Sequence, residues 1–506
     1  MSLLSKLHEA LGPAAPVASI PDSRFHWMDD FVRQTKVAVF VRRADNLLLI
    51  RPDKTMGLNA TATEVLDALY ARDAGTARAV LSTLAPRLGV DLGRLVDDTD
   101  VLLQSLSAVL RQDFSPRPGL RFDHFDRSSV KFPTIAEIAL TYQCNNKCTF
   151  CYAASPYRAA ETPVMSTSEV KRVMERIYRE AHVPSLSFTG GEATLRADLP
   201  ELITYGKELG FRVNVISNGV KSGDMAFARS LAEAGLDSTQ ISIEGHTAEL
   251  HDRIVAKPGA FERTVAAVRN YRELGVHVHT NSTLCADNFD EAEDLVRFVA
   301  RDLELRTMSM NMLIRTGSAL GRPGMELSYT SVGDKIPALV EVAKHEAILL
   351  VWYSPIPYCI FNPVLAGLGA KSCACVDGIL SVDPSGQVLP CSSFEEGLGS
   401  LLERSWTDIY AGEKAAYWRE KRYVPPACKA CPHTDICGGA CPLYWDACGS
   451  FGELPLPDAA DAQARATWER ARHEGGSFGI RDHETLVTLR KKAKREAAER
   501  TMTGED

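Results

Sequence analysis

The chain has 506 residues, a net charge of -8 and 45% hydrophobic residues, which predicts two to four globular domains. The negative charge gives no electrostatic reason to expect a nucleic-acid partner, and no apolar stretch is long enough to span a membrane. The first residues, MSLLSKLHEALGPAAP, lack the sustained apolar core of a signal peptide. The sequence therefore predicts a cytoplasmic protein, in a reducing compartment where its 13 cysteines stay available for metal.

Residues 20–112 have the pattern of a small separate module. Two short apolar strands, 37–41 and 47–50, flank an Asp-Asn turn, and three helical patterns follow from Leu58. This stretch resembles the winged-helix-like PqqD family of the pyrroloquinoline quinone pathway, which implies binding of the leader of a ribosomally made, post-translationally modified peptide (RiPP). The alternatives are a degenerate winged helix that only packs on a catalytic domain, and a DNA-binding one, which the lack of a basic helix disfavours.

Three cysteines follow a predicted linker, 113–130, and a buried strand in FPTIAEIALTYQ. They are Cys144, Cys148 and Cys151, a C-x3-C-x2-C spacing with one thiolate fewer than a closed zinc or cubane site needs. Three thiolates on one loop can hold three irons of a [4Fe-4S] cluster and leave the fourth iron open. The alternatives are a chance spacing of three cysteines and a zinc knuckle completed by a distant histidine.

The run TYQCNNKCTFCYA, with Phe150 before the last cysteine, resembles the cluster loop of radical S-adenosylmethionine (SAM) enzymes. That resemblance implies that the open iron binds SAM and that an electron cleaves it to a 5'-deoxyadenosyl radical, which abstracts a hydrogen atom. A flavodoxin- or ferredoxin-type protein would supply the electron.

Strands and helices alternate through residues 131–345, which predicts an α/β fold with a parallel sheet. The resemblance makes this a partial (β/α)6 barrel. Strands are predicted at 186–188, 212–216, 238–243 and 276–284.

Polar residues follow three of these strands, and glycine there would let a ligand approach the backbone closely. By the resemblance, Gly190, Gly191 and Glu192 would bind the SAM ammonium group, Ser217 and Asn218 would lie near its carboxylate, and Ser242 and Glu244 would lie near its ribose. Glu244 stands where an aspartate is more usual. Ordinary turn chemistry is the alternative for each.

A second cysteine array lies in residues 346–452, where the chain contains CKACPHTDICGGAC and an earlier G-x4-C element. This pattern resembles the SPASM extension, which holds two auxiliary iron–sulfur clusters, whereas a zinc ribbon is the alternative for the C-x2-C pair alone. Cys359 could replace Cys373 or Cys375, and Cys285 stays unassigned. The ligands implied by the resemblance are Cys373, Cys375, Cys391 and Cys441 for the first cluster, and Cys428, Cys431, Cys437 and Cys448 for the second.

Residues 453–506 predict a charged helical tail without chemistry. Together the modules predict a RiPP maturase that forms a thioether or carbon–carbon crosslink in a precursor peptide. The alternatives are a radical SAM enzyme acting on a tetrapyrrole side chain or another small molecule, a sulfatase-type maturase, and a zinc-stapled peptide-binding protein. Sulfatase-maturing relatives usually carry an aspartate where this chain has Ser392. Glu395 and Tyr358 are candidate bases, and the spacing does not choose between them.

Overall fold

The computed structural model describes residues 20–50, 54–71, 73–111, 130–155 and 157–456, together with 463, 465, 466, 468 and 469. The chain forms two compact units, Met1–Val130 and Lys131–Asp506. The predicted linker, apart from Val130, and most of the predicted tail lie outside the described residues.

The N-terminal unit contains a three-stranded antiparallel sheet with strand order β1-β2-β3. The hairpin and the three following helices were predicted, whereas the first helix and the third strand were not. The strand β3 contains Lys, Thr and Gly and is stabilised by pairing with β2 along its whole length, from Leu47↔Gly57 to Ile50↔Lys54. The elements are α1 (Asp22–Thr35), β1 (Val39–Arg42), β2 (Leu47–Ile50), β3 (Lys54–Gly57), α2 (Ala60–Tyr70), α3 (Ala77–Leu88) and α4 (Leu92–Leu110).

This unit has a hydrophobic core of its own. The polar helix α1 contributes Phe25, Met28 and Val32, which are spaced three and four residues apart and therefore lie on one face. At the β1–β2 connection, Arg42 and Asp45 form a buried ion pair with 2.9 Å between Nε and Oδ1. Asn46 then takes a left-handed conformation, φ 54°, which closes the turn.

The second unit is built on a ten-stranded sheet with the order β10-β9-β8-β7-β6-β5-β4-β11-β12-β13. The strands from β4 to β9 are parallel neighbours in chain order, with helices between them, which confirms the predicted α/β fold. The strands are β4 (Ile135–Ala139), β5 (Ser185–Thr189), β6 (Arg212–Ser217), β7 (Ser238–Ser242), β8 (His277–Leu284), β9 (Thr307–Met312), β10 (Leu349–Trp352), β11 (Ile379–Val382), β12 (Gln387–Leu389) and β13 (Gly399–Ser400).

The helices of this unit connect the parallel strands and then continue into the cysteine-rich region. They are α5 (Thr167–Arg179), α6 (Leu199–Leu209), α7 (Met225–Glu233), α8 (Ala248–Val255), α9 (Ala260–Glu273), α10 (Ala292–Arg301), α11 (Tyr329–His345), α12 (Trp406–Tyr410), α13 (Glu413–Arg419), α14 (Thr434–Cys437) and α15 (Pro442–Cys448). Among the helices that the structure describes, none is both long and apolar enough to cross a membrane.

The cysteine-rich region extends the same sheet. Strand β11 pairs in parallel with β4, and β12 and β13 continue as antiparallel neighbours. Because β12 ends at Leu389, Cys391 follows it directly. This pairing brings a loop of the cysteine-rich region to the strand that leads into the first cysteine loop.

Candidate functional site

The first cysteine loop follows β4 and is fixed by backbone hydrogen bonds to the end of α8. Lys147 N donates to the carbonyl of Val255 at 3.0 Å, and Thr149 N donates to that of Ile254 at 3.1 Å. The last carbonyls of a helix have no partner within it, so the loop satisfies two of them. Ser318 N donates to the carbonyl of Cys151 at 2.9 Å.

The three cysteines of this loop are partly buried. Burial raises the pKa of Cys144 to about 12, and Asn146 N and Asn218 Nδ2 donate to its sulfur at 3.4 and 3.8 Å. The pKa of Cys148 is well above its ordinary value, first through burial and then through Cys151, Glu244 and Cys144 nearby. Hydrogen bonds to sulfur and low solvent exposure are the features that tune iron–sulfur ligands, so the loop fits a cluster.

Within the described residues, no three His, Cys, Asp or Glu side chains converge closely enough to bind one metal ion. A cubane instead takes one thiolate at each of its irons, so it does not need three side chains that converge on one ion. Cysteines that could share a cluster are therefore recognised by a common loop, or by thiols near enough to shift one another's pKa.

Gly190 and Gly191 lie against the cysteine loop itself. Gly191 N donates to the carbonyl of Thr141 at 2.7 Å, and Glu192 N donates to that of Gln143 at 2.8 Å. A Cβ on Gly190, whose φ is +141°, would lie 2.2 Å from the Thr141 oxygen. We expected glycine here for the approach of a ligand, whereas the backbone that approaches is that of the cysteine loop. Their predicted part in binding the SAM ammonium group stays a prediction.

Glu192 is 1% exposed, and its carboxylate accepts four hydrogen bonds from the protein. Thr194 donates from N and Oγ1 and Ser217 donates from Oγ to Oε1, at 3.1, 2.6 and 2.9 Å, while Asn218 N donates to Oε2 at 2.8 Å. Each carboxylate oxygen has about two acceptor sites, so Oε1 is fully used, whereas Oε2 has an acceptor site left beside the bond from Asn218. Binding of the SAM ammonium group by this side chain stays a prediction, and the structure adds that Glu192 positions the turn after β6.

Asn218 connects that turn to the cysteine loop, because its Nδ2 also donates to Asn145 Oδ1 at 2.7 Å. Ser242, the last residue of β7, is half-buried. Glu244 follows it two positions later and is 3% exposed. Burial raises the pKa of Glu244 to about 8, and its Oε2 accepts from Thr283 N at 2.8 Å. The structure thus brings Asn218 and Glu244 to the cysteine loop, and the predicted SAM contacts of Ser217, Asn218, Ser242 and Glu244 stay predictions.

Phe150 and Cys285 lie together in a small apolar cluster with Leu313, Ala319 and Met325. Cys285 is fully buried, and burial raises the pKa of its thiol to about 11. Phe150 therefore anchors the cysteine loop by packing.

The first predicted auxiliary set is brought together. The sulfurs of Cys373 and Cys375 are 3.3 Å apart, and Cys375 also hydrogen-bonds with Cys391. Burial raises the pKa of Cys441 well above its ordinary value, and Cys373 and Cys391 raise it further. Lys421 Nζ donates to the carbonyl of Cys373 at 2.8 Å, which places a positive charge beside these thiols.

Three members of the second predicted set lie near one another together with Cys359, and the ligand roles of this set stay predictions. Burial raises the pKa of Cys428 to about 12, and Cys437, Cys359 and Cys431 raise it further, so these four thiols form one group. The pKa of Cys359 is raised by burial and also by Cys437 and Cys431. We expected Cys448 in this group and considered Cys359 only as a substitute in the first group.

Cys448 is exposed and lies in a different environment. Partial desolvation of its sulfur raises the pKa of the thiol, and the groups that affect this pKa most after desolvation are Tyr444, Glu453, Glu326 and Arg465. The structure therefore places Cys359 with the second group and Cys448 beside carboxylates and an arginine.

Sequence reasoning missed a polar group between the two cysteine loops. The carboxyl group of Glu137 on β4 accepts a hydrogen bond from Ser381 Oγ at 2.6 Å. It also forms hydrogen bonds with Ser392, the residue after Cys391. Arg158 is 2% exposed and lies 4.0 Å from the ring centroid of Tyr142. A charged residue inside the apolar pattern IAEIAL is the signal that could have identified Glu137, whereas nothing in the sequence marks Arg158.

Comparisons with known proteins agree with this geometry. Residues 138–299 match the model of the radical SAM superfamily, and residues 373–432 match that of SPASM, an iron–sulfur cluster-binding domain. An AdoMet-dependent heme synthase of Oleidesulfovibrio alaskensis is 28% identical over 63% of this chain and 85% of its own length. A PqqA peptide cyclase of Rhizobium meliloti is 28% identical over 61% of this chain and 82% of its own.

Solved structures show the same fold. Streptococcus suis SuiB bound to the precursor peptide SuiA superposes with a TM-score of 0.60 at 14% identity, covering 81% of this chain and 96% of that one. The structure of anSMEcpe with bound AdoMet has a TM-score of 0.51 at 16% identity and covers 71% of this chain and 99% of that one.

These findings agree with the cysteine loops on which the sequence prediction rests. When bound, a [4Fe-4S] cluster and SAM supply radical chemistry, and the residues of the first loop would hold that cluster. The chain contains a radical SAM domain and a SPASM domain, and it is an enzyme that uses SAM, a [4Fe-4S] cluster and auxiliary iron–sulfur clusters.

Proposed function

We propose that this enzyme is a peptide maturase. It binds the leader of a ribosomal precursor peptide through its N-terminal unit, abstracts a hydrogen atom from a core residue, and closes a thioether or carbon–carbon crosslink. The electron for SAM cleavage comes from a flavodoxin- or ferredoxin-type donor, and the reaction takes place in the cytoplasm.

The observation that carries this proposal is a separate N-terminal unit in a chain with radical SAM and SPASM domains. The likeness to SuiB covers 81% of this chain, which is more than residues 131–506 contain, so it extends into the N-terminal unit. SuiB is the protein whose structure holds a precursor peptide, and PqqA peptide cyclases are among the relatives.

The N-terminal sheet offers a physical means of peptide capture. The strands β1 and β3 are its two outer strands, and an outer strand has backbone groups that can pair with an added peptide strand. Backbone pairing supplies affinity, and side-chain pockets supply specificity. This is the PqqD-like role that the sequence predicts for residues 20–112.

A small-molecule substrate is the second candidate, because AdoMet-dependent heme synthases are among the relatives at 28% identity. Their match covers 63% of this chain and that of the PqqA peptide cyclase covers 61%, so the preference for a peptide rests on the N-terminal unit and on the likeness to SuiB. A sulfatase-type reaction has less support, because Ser392 stands where those maturases usually have an aspartate.

The test uses the precursor peptide encoded by a short open reading frame beside the gene. Deleting residues 1–130 should leave SAM cleavage under dithionite intact, since the radical SAM domain begins later. Modification of the peptide should fall by at least about 100-fold through loss of effective concentration. Adding the excised unit in trans should restore part of it. Equal activity of the truncated and full-length chains would contradict leader binding.

A further inference from the structure

A small cavity lies where the first cysteine loop meets the loop that carries Cys391. Its volume is about 10 Å³, enough for about one water molecule. Its wall comes from β4, β5, β11, β12 and both loops: Glu137, Ala139, Tyr142, Tyr152, Thr189, Gly190, Ser381, Val382, Leu389 and Ser392.

Glu137 is the carboxyl group of this cavity. On β4, Ala136 and Ile138 face the hydrophobic core, so the alternation of the strand turns Glu137 to the opposite face with Ala139. Its partners in the sheet register are Ser187 on β5 and Ser381 on β11. A charged side chain in the middle of a parallel sheet is costly unless it is hydrogen-bonded, and these polar neighbours make it tolerable.

Hydroxyl groups connect Glu137 to a more exposed position. Ser381 and Ser392 both hydrogen-bond to its carboxyl group. The residue Glu137 is 9% exposed. Ser392 also hydrogen-bonds the hydroxyl of Tyr152, which is 36% exposed. Hydroxyl groups both donate and accept hydrogen bonds. The hydroxyls of Ser392 and Tyr152 can therefore pass a proton between Glu137 and the space beside the cysteine loop.

The surroundings of Glu137 favour uptake of a proton. Burial raises the pKa of Glu137, so its carboxylate holds a proton more readily than an exposed one, and the hydrogen bonds of Ser381 and Ser392 hold the pKa lower than burial alone would. The titratable groups that share the cavity are Tyr142 and Tyr152.

A neighbouring cation indicates that a ligand comes close to this cavity. Arg158 lies across the ring of Tyr142, and among the described residues its Nε and Nη1 have no hydrogen-bond partner although the residue is buried. Buried donors without a partner are uncommon and need an explanation. A peptide carbonyl or carboxylate would supply the missing acceptor.

We propose that Glu137 accepts the proton released when the substrate radical closes into product. The inference rests on the proposed function. Hydrogen abstraction leaves a carbon radical on the peptide. Closing a C–S or C–C bond then breaks an S–H or C–H bond and releases one proton and one electron. The proton passes through the Ser392 and Tyr152 hydroxyls to Glu137, and the electron goes to a one-electron acceptor of the iron–sulfur class.

The test is Glu137→Gln, which keeps the shape and removes the base, assayed with a perdeuterated form of the same precursor peptide. The variant should still transfer deuterium from the peptide to 5'-deoxyadenosine at close to the normal rate. The yield of crosslink per 5'-deoxyadenosine should fall by about 100-fold or more, as loss of a general base does. KM for the peptide should change little, because Glu137 is not part of leader binding.

A conservative variant and a matched control separate loss of the base from a general defect in folding. Glu137→Asp keeps the carboxyl group and should recover part of the crosslink yield. This variant also tests the need for a carboxyl group if Glu137→Gln folds poorly. Glu175→Gln is the matched control, because Glu175 accepts the hydroxyl of Tyr205 at 2.5 Å elsewhere in the fold, and its yield should be normal.

Failure of the inference and failure of the proposed function give different results. If the wild-type enzyme transfers no deuterium from the peptide, the proposed function is wrong. If it does, and Glu137→Gln gives a normal yield, Glu137 is not the proton acceptor. An equal fall of 5'-deoxyadenosine and crosslink in this variant would also overturn the inference, since it would mean that Glu137 supports the radical-generating site.

Discussion

Glu192 accepts a hydrogen bond from the backbone N–H of Asn218 at 2.8 Å, which joins the turn after β5 to the turn after β6. Replacing Glu192 with alanine leaves that N–H and the donors of Thr194 and Ser217 without their acceptor. We expect the free energy of unfolding to fall by about 1–3 kcal/mol. Affinity for SAM should weaken by roughly 10- to 100-fold, because Asn218 shifts. Denaturant unfolding and equilibrium SAM binding measure the two effects.

Glu201→Ala is the control for this prediction. Glu201 forms an exposed ion pair with Lys171, which is worth about 0–1 kcal/mol, so SAM binding should not change. Unaltered SAM affinity in Glu192→Ala would show that SAM binding does not depend on Glu192 or on the turn that it holds.

Alanine at Cys144, Cys148 and Cys151 together should abolish SAM cleavage and leave the auxiliary clusters in place. The fully loaded enzyme should hold about 10–12 irons, and the variant should lose about four of them. Iron and sulfide analysis and 5'-deoxyadenosine formation under dithionite measure this. Cleavage of SAM by the triple variant would mean that the radical SAM cluster binds elsewhere.

Cys359→Ser and Cys448→Ser form a matched pair of exposed cysteines with different surroundings. Because Cys359 lies in the group with Cys428, Cys431 and Cys437, its replacement should lower the iron content of one auxiliary cluster. Cys448→Ser should keep full iron content. Electron paramagnetic resonance of the reduced enzyme would show which cluster changes, and iron loss only in Cys448→Ser would restore the assignment from the sequence.

Gly190→Ala should be far more destabilising than Gly275→Ala. Both glycines have positive φ, but a Cβ on Gly275 meets nothing within 4 Å, so its cost is about 1–2 kcal/mol. A Cβ on Gly190 would collide with the carbonyl of Thr141 and should cost more than about 4 kcal/mol. Equal unfolding midpoints for the two variants would contradict the close approach of the two loops.

The sequence predicted the parallel α/β architecture because apolar strands such as Arg212–Ser217 alternate with helical patterns over a long stretch. It did not predict β3, because Lys54 and Gly57 at its two ends disfavour strands and the pairing with Leu47–Ile50 determines that strand. Tertiary pairing overrides propensity in such short elements.

The candidate site was predictable where the spacing carries the chemistry, as in Cys144, Cys148 and Cys151. It was not predictable where distant segments meet. Cys359 lies 69 positions before Cys428, and nothing in that separation indicates one thiol group. Glu137 and Ser392 likewise meet only because β11 pairs with β4.

The hydrogen bonds from Lys147 and Thr149 to the end of α8 tie the first cysteine loop to a helix about one hundred residues further along the chain. The placement of its thiols therefore depends on the last turn of α8, so a substitution that unwinds that turn would displace the loop without touching any cysteine.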